Sequence, residues 1–277
     1  MTVYAAQGDP RRTMALLWGV RDTGRRPGPK QGLSVELIVA TGVAVADERG
    51  MAELSMRAVA ERLGRTAMAL YTYVPGKNEL VDLMYDSVHA ELPVEYDLRD
   101  GWRAAMAARA EDLWDFHLRH PWTLQVSQAR PVLGPCEYRM LETSVRILRE
   151  SGLSAPALRR GIWALHHFIR GSAQAVAEAR QAAAATGLSD DDWWYARSEA
   201  LEEIAPDFAA RFPVITWMEN EGAFQMEDET VPYLEQEARE TFAAGLVALL
   251  DGIETTLAGS RGDSLDPGAT LVGSEGE

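Results

Sequence analysis

From Leu33 onward the apolar residues recur at spacings of three and four, and no segment alternates with period two for long. That spacing lays one apolar stripe along a helix and cannot serve a half-buried strand. The chain therefore reads as all-α. Val35, Ile38, Val39, Val43 and Ala46 form the first stripe, and Gly50 closes it. Residues 51–90 hold three short helical segments separated at Gly64 and at Pro75-Gly76. Longer helices are expected over 99–119, 135–150, 156–185, 189–203, 206–221 and 231–258. No self-similarity occurs at a solenoid period. The two ends break the pattern. Residues 1–32, rich in Gly, Pro and Arg, are expected to form a flexible basic arm, and residues 259–277 a disordered tail.

Composition narrows the function. Hydrophobic residues make up 47% of the 277, enough for a sizeable core. The longest stretch free of Asp, Glu, Lys and Arg is Thr66 to Gly76, eleven residues. A membrane-spanning helix needs about twenty apolar residues, so no membrane partner is expected. No secretory leader is visible, and the single cysteine, Cys136, leaves no intrachain disulfide framework, so a cytoplasmic protein is expected. The net charge of −15 is unevenly spread: residues 1–77 carry +4 and residues 78–277 carry −19. A basic head on an acidic body points to nucleic acid at the head, although a solvated basic tail would give the same balance.

The segment Leu54 to Val74 makes that partner concrete. Ser55 is a natural N-cap, and Leu54, Val59, Ala60 and Leu63 give the buried stripe of a two-turn helix. Gly64 stands where a tight turn needs positive φ. A second short helix follows, with Leu70 and Val74 facing inward and Thr66, Ala67, Ala69 and Thr72 on the other side. Helix, glycine turn, and helix with small residues at its front is a helix-turn-helix, the alternative being an ordinary helical hairpin. Small side chains let a helix backbone sit deep in a major groove.

The continuation Leu70-Tyr71-Thr72-Tyr73-Val74-Pro75-Gly76-Lys77 resembles the TetR family of bacterial one-component regulators, in the form common in actinobacteria. With the Ser55-Met56-Arg57 start and the turn glycine, the resemblance covers Leu33 to about Glu91 with specific motifs. It continues more loosely through a body ending in Ala243-Ala244-Gly245-Leu246 and Leu250-Asp251-Gly252-Ile253-Glu254. It implies a helix-turn-helix DNA-binding domain at 33–90 and a larger helical ligand-binding and dimerisation domain at 91–258. The implied partners are a palindromic double-stranded DNA operator, a small-molecule inducer and a second copy of the chain. The resemblance further implies that Arg57 reaches a guanine edge and that Thr66, Ala67, Met68 and Ala69 meet bases. Tyr71, Thr72 and Tyr73 would meet backbone or base edges, Lys77 a phosphate, and Arg25, Arg26 and Lys30 a minor groove. The recognition helix lacks Gln, Asn or Arg readers, so specificity leans on Arg57 and on DNA shape.

Further along the chain, Trp163, His166, His167, Arg170 and Gln174 share one side of a helix. Trp114, Phe116, His117, Trp122 and Met140 on neighbouring segments complete an apolar cavity with a few polar anchors, the usual make-up of a ligand pocket. A core with a satisfied polar network has the same composition. With Phe168 as a further wall and Arg170 to pair an acidic group, the set suits a planar, oxygenated aromatic ligand. An all-α enzyme using His117 or His167 in the same cavity is the competing class, and a ligand-free architectural DNA binder is a third. No nucleophile elbow, phosphate loop or dinucleotide fingerprint is present, and no cofactor is expected. His117 and His120, near Asp115, have zinc-compatible spacing, but roles as pocket or helix-end groups account for them, and no metal is expected. Cys136 at a helix start has a position that can lower a thiol pKa, against the alternative of a buried, inert thiol. Finally, the stripe Leu246, Leu249, Leu250, Ile253 and Leu257 is wider than one core needs. Part of it is expected to pair with a second chain, with Gly245 and Gly252 allowing close approach.

Overall fold

The computed structural model describes residues 2–20, 32–225 and 231–262, with side chains described to residue 256. Arg25, Arg26, Lys30, the side chain of Leu257 and residues 263–277 lie outside the described residues. Apart from two strands of two residues each, the regular structure described is helical.

The chain begins with β1 (Val3–Tyr4) and α1 (Pro10–Leu17), where an irregular arm was expected. Pro10 pre-sets the first turn of α1, and Asp9 caps it by accepting from the Arg12 amide at 2.9 Å. Ala5, Thr13 and Leu17 are buried. Residues 1–32 read as one arm from their Gly, Pro and Arg content, and two short elements within them do not outweigh that composition.

The head follows as α2 (Val35–Arg49), α3 (Met56–Arg62), α4 (Ala67–Tyr71) and α5 (Lys77–Val88). Ser34 caps α2 through the Leu37 amide, and Gly50, at φ 78°, ends it. Ile38, Val45, Val59, Leu70, Val74 and Leu80 close the head core, each 1% exposed or less. A 3-10 turn at His89–Glu91 leads towards α6 (Gly101–Arg119), then a 3-10 turn at Pro121–Gln125, β2 (Val126–Ser127), α7 (Pro135–Arg149) and α8 (Ala155–Thr186). Next come α9 (Asp190–Ile204), α10 (Phe208–Arg211), α11 (Pro213–Asn220) and α12 (Tyr233–Gly262). The single helix expected over 206–221 is two helices, broken where Pro213 disfavours helical geometry at Phe212 and withholds an amide donor. The last helix runs to Gly262, past the expected end at 258.

The chain divides into two compact units. One comprises the residues up to Ile169 together with those from Gly245 on; the other is Arg170–Ala244. The head and the first helices of the body belong to one compact unit. In the second unit, α9, α10 and α11 contain no buried residue.

Candidate functional site

The expected helix-turn-helix corner is built by α3, a four-residue turn and α4. Ser55 accepts from the Ala58 amide at 3.1 Å, which starts α3. The Arg65 amide bonds back to the Ala60 carbonyl at 2.9 Å, and Gly64, at φ 63°, turns the chain. Leu54, Met56, Val59, Ala60, Leu70 and Val74 are buried beneath this corner. The opposite side is open. Arg57, Thr66, Met68, Tyr71, Thr72, Tyr73 and Lys77 are exposed, and Ala67 and Ala69 are half-buried. Met68 at 74% is the most exposed large apolar side chain of the corner. Arg57 is paired with Glu61 one turn on, Nε to Oε1 at 2.7 Å, so it must exchange that carboxylate for any base it reads.

The head is tied to the body by two polar joints. In the first, His120 places Nδ1 2.9 Å from Asp47 of α2 and Nε2 3.1 Å from Glu91. The Trp122 indole donates to the same Asp47 carboxylate at 2.8 Å. Burial alone would lower the His120 pKa, but the hydrogen bonds and charges of Asp47 and Glu91 outweigh it and hold the imidazole above its ordinary value. Only the imidazolium donates from both ring nitrogens, so the joint favours the charged form. In the second joint, Asp86 of α5 accepts from the Cys136 and Glu137 amides, each at 2.9 Å. It thus caps α7, whose own cap residue, Gly134, offers no side chain.

A cavity of about 220 Å³ lies next to this second joint. Tyr85 of α5, Glu137 and Met140 of α7, Trp163 and His166 of α8, the loop from Val126 to Leu133, and Ala5 line it. Burial lowers the His166 pKa to about 4, so the ring is neutral near pH 7; its Nε2 lies 3.3 Å from the Ser144 hydroxyl. Burial raises the Glu137 pKa, and its Oε2 accepts from the Leu133 amide at 2.7 Å. The walls are thus largely aromatic and apolar, with a neutral imidazole, the Glu137 carboxyl, and Ser127, Gln128 and Arg130 of the 126–133 segment as polar partners. A second hollow, about 480 Å³, lies within the second unit against Ser172, Ala175 and Ala179 of α8 and Leu234 and Ala238 of α12. None of the residues expected to hold a ligand lines it. Its walls are mostly small side chains, and it lacks the aromatic faces of the first.

Residues 38–84 match the family described as bacterial regulatory proteins, tetR family, and residues 97–257 match the tetracyclin repressor-like C-terminal domain. The chain belongs to the TetR family. Among TetR-family relatives, the HTH-type transcriptional repressor DrrR1 of Streptomyces coeruleorubidus is 40% identical over 266 residues, 95% of this chain and 92% of that protein. A TetR regulator from Streptomyces coelicolor, known from its solved structure, is 27% identical with a TM-score of 0.59, covering 81% of this chain and 99% of that one. The Streptomyces coelicolor TetR family protein ActR, solved in complex with actinorhodin, shares the fold at a TM-score of 0.63 and 22% identity, over 81% of this chain and 96% of its own.

Within this TetR-family frame, the structure divides the expected ligand set. Met140, Trp163 and His166 line the cavity. His167 does not line it but stacks on Trp163, ring centroids 6.0 Å apart. Trp114, His117 and Trp122 are buried in the core and do not line it either; His117 Nδ1 lies 2.9 Å from the Thr123 hydroxyl. Large aromatics on a helix have the same spacing whether they fill a core or face a void, so sequence could not separate them. Arg170 and Gln174 belong to the second unit, where Gln174 donates to Glu178 at 2.6 Å. Neither histidine offered for the enzymatic alternative, His117 or His167, lines the cavity. Among the described residues no group of three His, Cys, Asp or Glu is placed to hold a metal ion. Nor, among those residues, is any helix long and apolar enough to cross a membrane. The Cys136 thiol is pushed up, chiefly by burial and also by the neighbouring Asp86 charge, which outweighs any effect of its helix start.

The expected dimer stripe also divides. Leu246 and Leu250 are buried within the chain, whereas Leu249 and Ile253 are half-buried and Val247 is 53% exposed. Gly245 serves an intrachain contact: a Cβ there would lie 2.5 Å from the Phe168 ring. Gly252 faces open space. Sequence reasoning missed Asp47, Asp82, Asp86 and Ala5, because polar and small residues that act across the fold carry no local period.

Proposed function

We propose that this TetR-family protein is a cytoplasmic, dimeric transcriptional repressor that binds a palindromic operator and is released by a small, planar, oxygenated aromatic molecule. The observation that carries the proposal is the cavity beside Trp163 and His166, in the same compact unit as the helix-turn-helix and separated from α5 by no other element. The repressor named DrrR1 supports the sign of regulation, and ActR bound to actinorhodin supports an aromatic occupant. Catalysis has no support from the site: the polar groups that line it are not shown to compose an activated nucleophile with its base, and neither His117 nor His167 is among them.

The test has two parts. Genomic DNA fragments retained by the purified protein define the operator, and a panel of aromatic compounds that includes actinorhodin and minocycline is then scored for release of labelled operator. Trp163→Ala removes one flat wall of the cavity and should raise the concentration of an active compound needed for release by about tenfold, with operator affinity unchanged. Unaltered release by that compound would remove Trp163 from the ligand site.

At the DNA face, Arg57→Ala should weaken operator binding by roughly 10- to 100-fold and relax preference at one base of each half-site. Lys77→Ala should weaken all sequences alike and flatten the salt dependence by about one ion. Binding titrations against single-base operator variants at several salt concentrations measure both. Equal loss at every base for Arg57→Ala would show that it holds phosphate instead.

A further inference from the structure

Helices α5, α7 and α8 wall one side of the cavity, and helices packed on other helices are stiff. The remaining wall is Ala5 and the loop from Val126 to Leu133. Ala5 is 2% exposed, so the N-terminal segment closes the cavity on its side. A volume of about 220 Å³ lies below the range of roughly 300–1,000 Å³ usual for drug-sized ligands, so an occupant of several fused rings must displace a wall. The N-terminal segment is the wall that comes from a chain end, where segments open most readily.

We propose that residues 2–20 act as a strap that carries occupation of the cavity to α5. The proposal rests on the cavity being the ligand site. Three attachments define the strap. Val3 and Tyr4 pair in parallel with Val126 and Ser127 at the cavity rim. The Trp18 indole donates to the Leu133 carbonyl at 3.1 Å, on the same rim. The Ala6 amide, next to the residue that closes the cavity, donates to Asp82 of α5 at 2.9 Å. One short segment therefore touches the rim, the cavity and the helix that begins at Lys77.

The attachments are poised to exchange. Ala6 and Leu133 are the two non-glycine residues with positive φ among those described, at 55° and 62°, and both lie at strap attachments. Such backbone is strained and persists only while its surroundings hold it. Asp82 is buried, and its second oxygen has no hydrogen-bond partner among the described residues. Burial raises its pKa to about 6, against the Ala6 hydrogen bond, which favours the carboxylate. Lifting the strap breaks the bond to Ala6 but returns this carboxylate to water. Loss of one bond is thus offset by rehydration of a carboxylate, and a ligand that favours the lifted state shifts the population towards it.

The test needs no inducer. In the full-length protein, Asp82→Ala should speed hydrogen exchange of the strap amides by about tenfold and weaken operator binding by a similar factor. Asp82→Asn keeps an oxygen that accepts from the Ala6 amide and should preserve operator binding. Ala5→Leu grows a side chain into the cavity from the strap itself and should weaken operator binding without altering α5; it carries the test alone if Asp82→Ala does not fold. Faster strap exchange with unchanged operator affinity would overturn the proposal and leave residues 2–20 as a passive cover. The two readings fail separately: an effect of Ala5→Leu on operator binding, with no compound bound beside Trp163, would keep the strap and remove the ligand site.

Discussion

Gly134→Ala should lower stability by about 3 kcal/mol, although the position sits in a loop and looks tolerant. A Cβ at Gly134 would lie 2.1 Å from Oδ1 and 2.3 Å from Cγ of Asp86. That carboxylate is 5% exposed and short, and Oδ1 accepts both the Cys136 and the Glu137 amides. It cannot step aside without uncapping α7, and each hydrogen bond to a charged group contributes about 1.5–3 kcal/mol. For a chain of this size the melting temperature should fall by roughly 6–12 °C, read from a thermal scan by circular dichroism. The cause is checked by a double-mutant cycle. In an Asp86→Ala background the clash is gone, so adding Gly134→Ala should cost less than about 1 kcal/mol more. Full additivity of the two substitutions would show that Gly134 acts through something other than Asp86.

Leu249→Glu should produce a folded monomer with little operator binding. Leu246 and Leu250 of α12 are already used by their own chain, but Leu249 is half-buried beside an exposed Val247, and Gly252 leaves open space one turn on. In the second unit, Trp193, Trp194, Tyr195 and Trp217 are exposed on helices that bury nothing of their own. Apolar surface on that scale is the mark of an interaction face. A carboxylate at Leu249 of each chain would be desolvated unpaired in an interface and should raise the dimer dissociation constant at least about a thousandfold. Operator binding should fall with it, because a palindrome is held by two heads. Light scattering at micromolar concentration gives the mass, and Leu249→Ala, which adds no charge, should remain dimeric. A monomeric wild-type protein, or a dimeric Leu249→Glu variant, would end this reading.

The helix-turn-helix was legible residue by residue. Ser55, Gly64, Leu70 and Val74 act through local backbone geometry and a short-range stripe, and the structure uses each as its position demands. Ser189 and Asp192 were legible for the same reason: the Asp192 amide donates to the Ser189 hydroxyl at 3.1 Å. The lining of the cavity was legible only in part. The spacing that joins Trp163 to His166 is local to one helix, but whether Trp114 or Trp122 faces a void depends on which other helices pack over it. The indole of Trp122 is turned to Asp47, 75 residues away in sequence.

The sequence by itself determined the helical class, the reading head and its exposed face, because caps, turns and apolar periods act within a few residues. Tertiary structure decided which aromatics line the cavity, that Asp86 caps α7, that Gly245 makes room for Phe168, and that the N-terminal segment folds onto α5. These contacts join groups far apart along the chain. Their partners are selected by packing and by the need to satisfy buried polar atoms, and neither leaves a periodic trace in the order of residues.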